Sequence, residues 1–244
     1  MQPFTRHTGI AVPLIGDDIN TDQIAPVQAM RQLKPDYRTL LFMRARRRDD
    51  GSENPDFVLN KPQFRQPGIL VTGHNFGAGS SREAAVWGML ANDIRVIVAR
   101  SFADIYRENC LQNGLLPIVL AAGAADAFEQ RVVAVNGASP FTVDLESQRI
   151  TGPGGPDIAF DLPAADRMRL LEGLDDASRE RVVGARHQHQ PLARHDRSEF
   201  LAFVHVVAPR INSAGVRPGG PRRSVATAGP RRCAVPSRRS HRRA

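Results

Sequence analysis

The chain has 244 residues, 41% of them hydrophobic, which is enough for one substantial core, and its two cysteines, Cys110 and Cys233, form neither a disulfide framework nor a metal-ligand spacing. No apolar run approaches the ~20 residues of a membrane span, and the opening residues Met1 to His7 lack a signal peptide's apolar region, so a cytoplasmic protein is expected. The net charge of +8 is unevenly placed: residues 1–176 hold 18 Lys+Arg against 22 Asp+Glu, whereas residues 177–244 hold 15 Arg, no Lys and 3 acids. Any nucleic-acid reading therefore rests on the tail and not on the body.

In chain order, Ile10 to Leu14 reads as a strand, followed by the polar loop Gly16 to Ile24. Its Asp17, Asp18 and Asp22 are potential ligands or bases, but Asp and Asn also cap turns and helix starts, and turn chemistry is the reading taken. The cluster Arg44, Arg46, Arg47, Arg48 reads as a solvated helix end running into a loop, a reading taken ahead of a phosphate site. Beyond it, Ile69 to Thr72 is a buried strand, residues 82–91 a helix, Arg95 to Ala99 a second strand, and residues 102–112 a helix capped by Ser101 and stopped at Gly114. Leu116 to Leu120 makes a third strand. This β-α-β-α-β run calls for a mainly parallel sheet with its ligand site beyond the carboxyl ends of the strands. Residues 141–145 and 158–162 read as a strand pair around the Gly152 to Pro156 turn, and Pro163 to Leu171 as a short helix ended by Gly173.

The loop Gly73-His74-Asn75-Phe76-Gly77-Ala78-Gly79-Ser80-Ser81-Arg82-Glu83 sits at such a strand end. Its glycines allow positive φ and close approach, and the helix start behind it offers unpaired N–H groups and partial positive charge, a combination that attracts anions. Two readings of Ser80-Ser81-Arg82-Glu83 compete. It fits a capping box in which Ser80 and Glu83 cap each other's backbone. Alternatively Ser81 caps alone, leaving Ser80 free as a base or nucleophile with Arg82 beside it to grip a carboxylate. His74 is more readily a hydrogen-bonding fixture than a catalyst. Neither G-x-x-x-x-G-K-[ST] nor G-x-G-x-x-G spacing is present.

Five stretches, Asn20 to Pro26, Asn54 to Asn60, Asn75 to Glu83, Ser101 to Ile105 and Asn113 to Pro117, come in the order and spacing of a known family. In them the sequence resembles the small subunit of 3-isopropylmalate dehydratase, equivalent to the swivelling fourth domain of aconitase. The resemblance spans residues 8–176. It implies an α/β swivelling domain with a mainly parallel sheet, a β-α-β-α-β core and β/β/α layers. It also implies a hydro-lyase that interconverts 2-isopropylmalate and 3-isopropylmalate in leucine biosynthesis, as a heterodimer with a large subunit carrying a [4Fe-4S] cluster as Lewis acid; no cofactor or metal is expected on this chain. By the motif match, Ser80 is the proton-abstracting base, Arg82 holds a carboxylate of the hydroxy-dicarboxylate substrate, Ser81 hydrogen-bonds nearby, and the N–H groups of Gly77 and Gly79 stabilise the serine alkoxide.

Three departures stand out. Ala78 and Ala84 replace a common Cys and His, both small changes. Between Met30 and Arg44 the family's Arg-Thr-Gly-Phe-Gly-like stretch is replaced by Lys34-Pro35-Asp36-Tyr37-Arg38-Thr39-Leu40-Leu41, which opens the alternative of a related hydro-lyase acting on a methylated malate or citraconate. After Asp176 the expected amphipathic helix gives way to an arginine-rich tail, residues 177–244, which reads as a disordered segment and has the composition of a GC-rich coding sequence in a shifted frame. The rival function, a nucleic-acid-binding module acting through this tail, lacks the Lys and interleaved aromatics of a dedicated binder.

Overall fold

The structure, a computed structural model, describes residues 1–27 and 35–174. The expectations for the tail 177–244 and for residues 30–34 lie outside the described residues. Within them, seven strands form one sheet in the order β4-β3-β2-β1-β5-β6-β7. The central strand β1, Arg6–Pro13, belongs to both halves: residues 10–13 run parallel to β2 (Pro67–Val71), and residues 6–9 run antiparallel to β5 (Phe141–Asp144). A register shift between Ile10 and Ala11 marks the handover. There Gly9 and Gly68 touch backbone to backbone, and a Cβ on either would lie 2.7 Å from the other's Cα, so no larger residue fits the crossing.

From β2 the chain follows the expected alternation. Helix α4 (Glu83–Ala91) leads to β3 (Val96–Ala99), and α5 (Asp104–Asn113) leads to β4 (Leu116–Val119). All three strand pairs β1·β2, β2·β3 and β3·β4 are parallel. Strand alternation divides the core: Ile69, Val71, Val96 and Val98 face a cluster holding Phe128 and Phe141, whereas Leu70, Ile97 and Ala99 face one holding Phe76, Met89 and Tyr106. The second cluster also takes residues from the long excursion between β1 and β2. That excursion comprises the short helices α1 (Thr21–Ile24), α2 (Tyr37–Leu40) and α3 (Met43–Arg46) and two 3₁₀ turns, Val58–Asn60 and Pro62–Phe64. Helix α3 runs into the loop after Arg46, as the arginine cluster predicts. Helix α2 lies on α4 and sets Tyr37 edge-on against Trp87 at 5.2 Å.

Two parts of the sequence reading need correction. Residues 122–135, for which the sequence reading assigned no element, form the longest described helix, α6 (Ala122–Val135). Its alanine-rich start has no side-chain cap, so the usual start signal is missing; the buried Ala125, Phe128 and Val132 carry the helical spacing instead. Strands β5 and β7 (Ile158–Ala159) do not pair with each other, because β6 (Arg149–Thr151) lies between them in an antiparallel meander. The antiparallel part thus makes the sheet mixed, beside the parallel half that the sequence implies. Arg131 of α6 steadies the β6–β7 turn by donating to the carbonyls of Gly152, Pro153 and Pro156 while its guanidinium lies over the Phe141 ring.

Helix α7 (Ala164–Glu172) ends at Gly173 in the left-handed conformation, as expected. The N-terminus docks on it: Phe4 N–H donates to Leu170 O at 2.8 Å, and the Met1 ammonium to Gly173 O at 3.0 Å.

Phe128 is fully buried and meets Phe141 edge-to-face at 5.4 Å. Phe128→Ala should lower the unfolding free energy by about 3–5 kcal/mol in a denaturant titration, the usual range for emptying such a site.

Candidate active site

The serine loop follows β2 and lies against the segments that leave β1 and β3, at the carboxyl edge of the parallel strands as expected. Backbone hydrogen bonds pin it from both sides. Gly73, Gly77 and Thr21 donate to Gly16, Ile19 and Ala78 carbonyls at 3.1, 2.8 and 2.8 Å, and Asp18 N–H donates to His74 O at 2.9 Å. On the other side Phe76 N–H donates to Ser101 O, and Ala103 N–H to Phe76 O, both at 3.0 Å. Side chains add to this: Asp17 accepts from His74 N–H at 2.7 Å, Asp18 from the Asn75 amide at 2.7 Å, and Ser101 Oγ from Asn75 N–H at 2.8 Å.

The turn-chemistry reading of residues 16–24 holds for Asn20, whereas Asp17, Asp18 and Asp22 bond across the fold to His74, Asn75 and Arg82. Asn20 caps α1 by accepting from Asp22 and Gln23 N–H groups, and Gln23 Oε1 accepts from Asn20 N–H at 2.8 Å, a complete capping box. Of the two caps offered by the sequence, neither the Ser80–Glu83 box nor the lone Ser81 cap forms. Arg82 is the N-cap residue of α4 and no side chain caps that helix. The reason is the strap from α1: the buried Thr21 donates its hydroxyl to Ser80 O at 2.9 Å, which fixes the serine's backbone upstream of the helix start. Ser80 and Ser81 are exposed, and neither hydroxyl has a hydrogen-bond partner among the described residues. Ser101 likewise is no cap; α5 starts from Ala103, and the Ser101 hydroxyl serves Asn75.

Gly77 plays a different part from the one expected. Its N–H is taken by Ile19 O, and at φ +81° a Cβ would sit 2.1 Å from Cγ of the buried Tyr106 ring, so this glycine admits Tyr106 beneath the loop. Gly79, at φ +98°, is exposed and turns the chain into Ser80. Arg82 is held where the serines are. Its Nη1 donates to Asp22 Oδ1 at 2.9 Å, and Arg44 Nη1 reaches Asp22 Oδ2 at 2.9 Å. Asp22 was read as turn chemistry alone; this pairing across 60 residues leaves no local mark in the sequence. The hydrogen bond from Arg82, with help from Val27 N–H and the Arg44 charge, holds the Asp22 carboxyl below the usual carboxylate range.

Comparisons with known proteins agree on one answer. The model of the Aconitase C-terminal domain family matches residues 1–123. The 3-isopropylmalate dehydratase small subunit of Dinoroseobacter shibae is 48% identical over 178 residues, 72% of this chain and 88% of that protein. That of Rhizobium etli is 48% identical over 177 residues, 72% and 87%.

The chain belongs to the 3-isopropylmalate dehydratase small-subunit family.

A solved 3-isopropylmalate dehydratase from Methanocaldococcus jannaschii shares the fold, with a TM-score of 0.50 at 23% identity over 75% of this chain and 99% of that one. As the family name says, a small subunit has a large one as partner. The described residues of this small-subunit chain contain no group of three or more His, Cys, Asp or Glu placed to hold a metal. Cys110 is buried in the core with Tyr106 and Leu115, away from any such group, and burial pushes its thiol up. No helix among the described residues is long and apolar enough to cross a membrane.

A lowered folded-state pKa contributes stability that is present above the unfolded value of about 3.9 and is lost as pH falls through the folded one. The Asp22–Arg82 pair is therefore intact at neutral pH. An NMR titration should find the Asp22 midpoint below that of an ordinary aspartate, and Arg82→Gln should move it back up; an unmoved midpoint would show that Arg82 is not the cause.

Proposed function

We propose that this chain is the small subunit of a 3-isopropylmalate dehydratase, contributing a proton-transfer serine and a carboxylate-binding arginine to an active site completed by the large subunit. The assembled hydro-lyase interconverts 2-isopropylmalate and 3-isopropylmalate by removing and re-adding water in leucine biosynthesis. Residues 1–176 are its swivelling domain, and a biosynthetic enzyme of this kind works in the cytoplasm. The observation that carries the reading of the site is the exposed Ser80 hydroxyl, unbonded among the described residues, three positions before Glu83, where α4 starts without a side-chain cap.

Serine is a weak base until its alkoxide is stabilised. The free N–H groups and partial positive charge at the head of α4, with Gly79 turning the backbone toward them, favour the anionic oxygen. Thr21 holds the Ser80 carbonyl, so the side chain rather than the backbone is left to move toward a substrate carbon. Arg82 uses only Nη1 on Asp22; Nε and Nη2 have no partner among the described residues, and that edge of the fork suits a substrate carboxylate bidentately. Asp22 thus orients the guanidinium, and Arg44 shares its charge. Ser81 stands beside them as a further hydrogen-bonding group.

Departure of a hydroxyl is assisted by an acid at its oxygen, and a [4Fe-4S] cluster on the large subunit would supply a Lewis acid there. The described residues here do not fit as its ligands, and the roles given to Ser80, Ser81 and Arg82 do not run through it. Gly77 acts through Tyr106 and not through its N–H.

Two measurements test this. The purified chain should show no dehydratase activity alone and gain it with a cognate large subunit; full turnover by the single chain would overturn the partnership. In the complex, Ser80→Ala should lower kcat about 10²–10⁴-fold with the fold intact, and Arg82→Lys should raise KM because lysine lacks the bidentate fork. A Ser80→Ala enzyme with unchanged kcat would remove serine from the chemistry.

A further inference from the structure

At the other end of α4 from the serine loop lies a second polar cleft of about 330 Å³. Nine helical residues separate the two, a rise of roughly 13 Å, and Asn92, which caps the far end of α4, lines the cleft. Arg38, Arg46, Arg47 and Arg65 face it against one acid, Glu53. In a body whose net charge is negative, that concentration runs against the average.

Arg46 is the deepest of the four. Its Nε donates to Asn60 Oδ1 at 3.0 Å, and its terminal nitrogens reach Asn92 Oδ1 and Leu59 O, each at 3.4 Å. All three acceptors are neutral, and two of the contacts are long. Asn60 is only 5% exposed and is fixed by donating to the carbonyls of Arg46 and Asn54, both at 2.8 Å. The Asn54 to Asn60 stretch, part of the family resemblance yet unused by the serine chemistry, therefore holds a guanidinium in place.

A half-buried cation ordinarily finds an anion, and the one acid lining the cleft, Glu53, acts on Arg46 by its charge but pairs directly with Arg65, at 2.8 Å. Among the described residues the Arg47 guanidinium donates only to the Gly51 carbonyl, at 3.1 Å. Burial above all, with the like charges of Arg65 and Arg47, lowers the Arg46 pKa, and Glu53 opposes them. The carbonyls ending α4 account for a cation near Asn92. They do not account for Arg47 on the same cleft, and Glu53, paired with Arg65, answers only one of the positive charges gathered there.

We propose that this cleft binds a small oxyanion, phosphate or carboxylate, seated on Arg46, Arg47 and Arg65 and separate from the serine loop. The second N–H of each terminal nitrogen of Arg46 remains for the ligand, and Arg47 and Arg65 close on it from the exposed side. The site stands whether or not Ser80 is the base.

The test is calorimetric titration of the full chain with inorganic phosphate and, separately, with malate, in chloride buffer at constant ionic strength. Saturable binding of phosphate or malate is expected, weakened about tenfold or more in the Arg47→Ala/Arg65→Ala double variant and unchanged in Arg82→Gln. Which probe binds tells phosphate from carboxylate. Absence of saturable binding by either probe would overturn the proposal, as would binding lost in Arg82→Gln but kept in the double variant. Loss of large-subunit association by the double variant, with no anion binding in the parent chain, would also overturn it in favour of a docking surface. If circular dichroism shows the double variant unfolded, the single variants Arg47→Gln and Arg65→Gln read the same effect.

Discussion

The strap from Thr21 to the serine loop is the contact on which the site depends. One residue gives two hydrogen bonds, N–H to Ala78 O and Oγ1 to Ser80 O, and so stops the loop from closing into a helix cap. A loop of glycines and serines has many conformations, and fixing one costs backbone entropy of about 1–2 kcal/mol per residue. Here the cost is met by neighbours on both sides, segment 16–21 and segment 100–103, each itself anchored at the end of a buried strand. The sheet thus sets the position of an exposed hydroxyl through backbone bonds and a few side chains, Thr21, Asp17, Asp18 and Ser101, on the flanking segments.

The strands and helices of residues 67–119 were legible because each obeys its own local rule: buried apolar runs for the parallel strands, Gly114 to end α5. Glycines before Ser80 and the arginine after it also single out the loop that carries the proposed site. What stayed hidden depends on distant partners. Asp22 looks like any turn aspartate until Arg82 and Arg44 arrive from elsewhere in the chain. The Ser80 capping box is locally sound, yet it is absent where Thr21 holds the serine's carbonyl and α4 begins from Arg82. Strand β6 has three residues, too few for a period, and α6 begins on Ala121, Ala122 and Gly123, without a capping side chain.

The double allegiance of β1 explains the domain's outline. Its first half carries the meander and its second half carries the parallel core, so α6 and α7 pack with β5 to β7 into one apolar cluster while the excursion 14–66 fills the opposite face. The serine loop and the arginine cleft fall on that second face, at opposite ends of α4. Both take side chains from the excursion: Asp22 and Arg44 at one, Arg38, Arg46 and Arg65 at the other. Variation in that excursion can alter what is bound without touching the sheet.

Trp87, set between those two ends on α4, is the only tryptophan in the chain. Its ring leans on Tyr37 and its indole N–H donates to Asn113 Oδ1 at 2.9 Å, so its surroundings combine α2, α4 and α5. The protein therefore carries a built-in optical label of single origin. A change in its emission reports on the helix that joins the two sites, and no engineered fluorophore is needed to watch either of them fill.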